Sequence, residues 1–218
     1  MTLEPTRTAT PRMAQGKRLL MDAAVRMARR ASAAAAISLR ELAREAGLNH
    51  NTFYRHFSSQ EALLEEIVRD FGMQLREGLK QARMGAPTLE DITPTVVGWT
   101  LDFALAHQDI FLLAMRERYG PPGPIREAVE NMLRQLQDDM LSELQVRQAL
   151  PPLPDSVLRP VLAILIDHTF KLCCEHIEKP QARAERLAMA KMLFDTLMLG
   201  TIARQMAPQQ SRSQSAPQ

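Results

Sequence analysis

The chain has little of what an oxidising or membrane environment would call for. It holds two cysteines in 218 residues, Cys173 and Cys174. Neighbouring cysteines in one helix point apart and rarely bridge each other, so a reducing cytoplasm is the expected location. No apolar run approaches the roughly 20 residues that a membrane-spanning helix needs. The first residues carry Glu4, Arg7 and Arg12 without an apolar stretch, so no signal peptide is expected. Alternating strand patterns and internal repeats are missing. Also missing are a Gly-rich phosphate loop, a nucleophile motif and carboxylates paired in a recognisable context, so neither an enzyme nor a cofactor is expected.

What is present is ordinary for a soluble domain: 45% hydrophobic and 24% charged residues. The net charge of +2 conceals an asymmetry. Residues 1–60 hold 10 Lys+Arg against 4 Asp+Glu, a charge of +6; residues 61–218 hold 17 against 21, a charge of −4. A basic first quarter suits an anionic partner.

The periodicity is helical throughout, and the expected fold class is all-α with about nine helices. From Met13, the residues Leu20, Ala23, Ala24 and Met27 keep helical spacing. In "ISLRELAREAG", Ser38 and Glu41 form a capping-box pattern, and Gly47 is placed to end the helix in a left-handed turn. Asn49 can cap a helix over 50–57, and Ser58 with Glu61 can open a long one over 59–83. Thr88 with Asp91 can start the next, and further helices are expected to about 106, 118, 148, 178 and 206. The organisation expected is a disordered arm (1–12), a helix-turn-helix domain (13–58), a helical ligand-binding and dimerisation domain (59–206) and a disordered tail (207–218).

The stretch "NTFYRHF" marks the site. Two short helices, 38–46 and 50–57, joined through Gly47-Leu48-Asn49, have the length and turn of a helix-turn-helix, whose second helix enters the DNA major groove. On a helical wheel Phe53 and Phe57 share the stripe that must be buried, while Asn51, Thr52, Tyr54 and Arg55 take the opposite arc, with His50 and His56 on its flanks. Asn can bond adenine edges, Arg can fork onto guanine and Thr can touch a thymine methyl. Tyr and His donors suit phosphates. Lys17, Arg18, Arg40 and Gln60 are further phosphate candidates, Gln60 because it opens the long helix. The alternative is a polar arc facing solvent.

"LRELAREAGLNHNTFYRHFSSQEALL" resembles the DNA-binding region of TetR-family transcriptional regulators, over about residues 13–65. "TFYRHF", the long following helix, and "FLLAMRERYG" with a downstream "REAV" are also similar to bacterial repressors of unsaturated fatty acid synthesis, which sense acyl thioesters. The resemblance implies a dimer shaped like the letter Ω, two DNA-binding heads on a double-stranded operator, and a small hydrophobic effector in each C-terminal domain, such as a long-chain acyl-CoA. A repressor of an efflux gene, a helical interaction module without DNA binding and a small helical enzyme are the competing readings.

For the effector, Trp99, Phe103, Phe111 and Met115 are the candidate pocket residues, and Arg116 and Arg118, after the apolar "IFLLAM", are candidates for an anionic head. His168 is set with them. The same apolar residues would also serve as core, and the same arginines as a favourable helix C-terminus. His168, Cys173 and His176 lack zinc-site spacing, so no metal is expected. Residues 155–206 should form the homodimer contact as a four-helix bundle, and "VLAILI" at 161–166 is apolar all round.

Overall fold

The structure, a computed structural model, describes residues 11–30, 38–88, 90–146 and 153–206. Among them lie nine α-helices and no strand: α1 (Pro11–Arg30), α2 (Leu39–Glu45), α3 (His50–His56), α4 (Gln60–Met84), α5 (Ile92–Ala106), α6 (Gln108–Arg118), α7 (Pro124–Val146), α8 (Asp155–Glu178) and α9 (Arg183–Met206). The all-α expectation holds. α1 opens at Pro11, inside the arm expected over 1–12; residues 1–10 and 207–218 lie outside the described residues. No single helix among the described residues is long and apolar enough to cross a membrane.

The helix starts follow local chemistry, with two corrections. Ser38 has the extended backbone of an N-cap, yet its side chain makes no capping bond. Burial of Leu42 and Ala43 therefore carries α2. At α4 the cap is Ser59 rather than Ser58: the Ala62 N–H donates to Ser59 Oγ at 3.1 Å. The shift arises because Phe57, held in the core, takes an extended backbone (φ −137°, ψ 136°), so the chain needs one more residue before it can turn into α4. The other caps form as expected. The Asn51 N–H donates to Asn49 Oδ1 at 3.0 Å, and the Asp91 N–H donates to Thr88 Oγ1 at 3.3 Å.

Compactness divides the chain into two units, and not at 58/59. The first comprises residues up to 74 with 107–132, the second 75–106 with residues from 133 on. α6 joins the first unit because it packs on α1 and because Phe111, fully buried, meets the Phe71 ring edge-on at 6.3 Å. Leu20, Leu42, Phe53, Leu63 and Leu64 complete that core. Each buried leucine contributes about 1.5–3 kcal/mol relative to an exposed one.

In the second unit α5 packs on α8 and α9, and α8 on α9. Leu141, Leu158, Leu162 and Leu165 form its centre, with Leu193, Phe194 and Leu197 against them. Two arginines fasten the start of α9. Arg186, nine-tenths buried, donates to the carbonyls of Glu175 and Lys179, each at 2.7 Å, and so satisfies the exposed end of α8. Arg183 grips Asp102 on α5 through two bonds of 2.8 and 2.7 Å. A Cβ on Gly78 would lie 1.9 Å from the Trp99 indole, so this glycine opens the slot in which Trp99 sits.

Candidate functional site

The turn between α2 and α3 is set by Gly47, whose φ of +68° only glycine adopts without strain. The Leu48 N–H then reaches the Ala43 carbonyl at 2.8 Å, which closes α2 and aims α3. α3 presents two faces. Phe53 and Phe57 are buried, their rings 5.9 Å apart. Asn51, Tyr54 and Arg55 are exposed, and His50, Thr52 and His56 are half-buried beside them. Tyr54 is exposed and makes T-shaped ring contacts with His50 (5.6 Å) and Phe53 (5.4 Å). Gly16 on α1 makes room for His56, whose Nε2 would lie 2.9 Å from a Cβ there. Partial burial, then the charges of Lys17 and Arg55, push the His56 imidazole below its usual pKa of 6.5. It is thus a neutral hydrogen-bonding group at neutral pH. Arg40 and Arg18 are exposed, and Gln60 is half-buried as the first residue of α4.

Lys17 needs correction as a phosphate candidate. Its ammonium is bonded to Glu66 Oε1 at 2.7 Å and lies 5.7 Å from the Phe57 ring centre. It ties α1 to α4 instead of standing free.

The second unit contains a cavity of about 300 Å³ lined by residues of α4, α5, α7, α8 and α9. Its wall is mainly aliphatic, with Phe170 and Phe194 as its aromatic members. The polar groups in the wall are Arg83, Thr93, Thr100, Glu143, Thr169 and Asp195. Arg83, nine-tenths buried, is ion-paired with Glu143.

The description "Bacterial regulatory proteins, tetR family" matches residues 20–67. An uncharacterised HTH-type transcriptional regulator of Haemophilus influenzae is 32% identical over 124 residues, spanning 57% of this chain and 60% of that protein's length. The match to the TetR family covers the helix-turn-helix segment of the chain. Two solved structures share the fold of this chain. A TetR-family regulator from Streptomyces coelicolor superposes with a TM-score of 0.68 at 21% identity, covering 88% of this chain and 83% of that one. The regulator FadR from Bacillus subtilis, in complex with stearoyl-CoA, gives 0.67 at 15% identity, covering 84% and 98%.

The fold places the expected effector residues elsewhere. None of Trp99, Phe103, Phe111, Met115, Arg116, Arg118 and His168 lines the cavity. Trp99 and Phe103 stack on each other, their centroids 4.8 Å apart. Phe111 and Met115 are buried in the first unit's segment, where Phe111 serves the core with Phe71. Arg116 pairs with Glu117 at 3.3 Å, and the Arg118 guanidinium lies 5.3 Å from the Tyr119 ring centre. The cavity-lining residues that went unnoticed, among them Leu79, Val97, Leu144 and Met198, have the apolar spacing of any core helix and no further signal. Among the described residues no group of His, Cys, Asp and Glu could hold a metal ion.

Proposed function

We propose that the chain is a homodimeric transcriptional repressor that reads double-stranded DNA with the outward face of α3 and is controlled by a small apolar effector in the cavity of the second unit. The observation that carries this reading is the division of α3. Two aromatic residues anchor it, and Asn51, Tyr54 and Arg55 remain exposed on a basic segment. Asn51 and Arg55 supply the groups that discriminate bases, and Tyr54 and Arg40 supply donors for phosphate. α4 links ligand to head. It contributes Leu79 and Arg83 to the cavity and Leu63, Leu64 and Val68 to the first unit's core. A ligand that displaces α4 at Leu79 therefore moves a helix on which the head is built.

The dimer contact has its own support. On α9, Met189, Met192, Thr196, Leu199 and Ala203 form an exposed stripe, and Ile164 is exposed on α8. An apolar stripe of this kind calls for a partner helix.

A fatty acyl chain is a second reading of the effector, favoured by the aliphatic wall and by the stearoyl-CoA bound to the Bacillus subtilis protein. It places the phosphate-bearing head outside the cavity, since among the described residues Arg83 is the one cation in the wall and Glu143 already neutralises it.

Anisotropy of labelled duplex DNA tests the proposal. Affinity should fall by about 10³-fold or more between 50 and 200 mM salt for a protein making several phosphate contacts. No binding at low salt would return the chain to the interaction-module reading.

A further inference from the structure

The cavity wall carries more information than its greasiness, because its polar atoms are already partly committed. Thr100 Oγ1 donates to the Val96 carbonyl at 2.6 Å, and Thr169 Oγ1 donates to the Leu165 carbonyl at 2.8 Å. Each hydroxyl has one proton. Both are spent on the helix backbone, so towards any occupant the two threonines offer lone pairs only. The charges are committed too. Arg83 is ion-paired with Glu143, and Asp195 accepts from Lys191 Nζ at 2.7 Å. The wall is therefore close to electrically neutral, and two of its three threonines, Thr100 on α5 and Thr169 on α8, accept without donating.

On the reading of this cavity as the effector site, we propose that the effector is an uncharged apolar molecule bearing a hydrogen-bond donor, of the alcohol or phenol class. A carboxylate is disfavoured by the wall. It gives up its hydration to meet an Arg83 whose charge Glu143 already offsets. An ammonium ligand loses its hydration and meets carboxylates that already hold partners. An ester or thioester carbonyl accepts where Thr100 and Thr169 also accept, so it forms no bond with those two. A hydroxyl group supplies the missing proton, and its hydrocarbon body fills the aliphatic remainder.

The test uses the intact protein and three molecules with one hydrocarbon skeleton: decanol, decylamine and decanoate. Binding is read by calorimetry and by the fluorescence of Trp99, the single tryptophan. Decanol should bind about tenfold or more tightly than either charged analogue. Thr100→Val and Thr169→Val, which keep side-chain shape, should each weaken decanol by roughly threefold and leave the charged analogues unmoved. Decanoate or decylamine binding as tightly as decanol would overturn the donor proposal while keeping the cavity as the effector site. Failure of all three to bind would overturn both.

Discussion

Phe53 and Tyr54 are neighbours in sequence and opposites in role. Phe53 is fully buried, and Tyr54 is 56% exposed. Phe53→Ala should destabilise the protein by about 3–5 kcal/mol, measured by denaturant unfolding, because it leaves a cavity in the first unit's core. Tyr54→Ala should leave the unfolding midpoint in place and weaken binding to every duplex. Arg55→Ala should instead reduce preference for the bound sequence over scrambled DNA, by about 1–3 kcal/mol in discrimination; equal loss on both duplexes would move Arg55 to the phosphate-contacting set. This division of α3 was legible in the sequence, since helical spacing alone separates the two aromatic anchors from the polar arc. Lys17 was not legible. Its partner Glu66 lies 49 residues away, and no local pattern announces such a pair. His176 carries a pH prediction. It is buried, and its two ring nitrogens have no hydrogen-bond partner among the described residues. Burial, then the charge of Arg186, hold its pKa below the usual 6.5. The unfolded chain therefore takes up the proton first, and stability is lost as pH falls from above 6.5 towards the folded value. The melting temperature should drop between pH ~7.5 and ~5.5, and His176→Leu should flatten that drop. An unchanged slope in the variant would assign the effect to other groups, His56 first.

The helices show where local rules suffice and where packing overrides them. Gly47 is a local rule. A Cβ there would meet nothing within 4 Å, so Gly47→Ala suffers from its positive φ alone. The expected loss is about 1–2 kcal/mol, seen as a lower unfolding midpoint; a variant as stable as the parent would mean that the turn relaxes to another conformation. At α4 packing overrides the pattern, because Phe57 in the core moves the cap from Ser58 to Ser59. The cavity is the hardest feature to read from sequence. Its wall draws residues from five helices, and an aliphatic residue facing an empty space is spaced like one facing a neighbour. The arginines after "IFLLAM" drew attention because charge next to an apolar run is conspicuous, yet Arg116 and Arg118 are occupied by Glu117 and Tyr119.

For the whole molecule, the proposal requires two copies. Leu165, apolar and in the right helix, is a poor probe of the dimer because it is buried within its own unit. Leu199 is 66% exposed and lies on the α9 stripe. Leu199→Glu should give a folded monomer by light scattering, with an unchanged helical signal and weak DNA binding, since a single head loses the gain of tethering. A dimer that survives this change would place the contact elsewhere. The central claim is sequence-specific DNA recognition by paired α3 helices, and selection of bound duplexes from a random pool tests it most directly. The account predicts an enriched inverted repeat whose half-site centres lie about one helical turn apart, roughly 34–36 Å, or a multiple of it. Recovery of a pool no different from the input would contradict it.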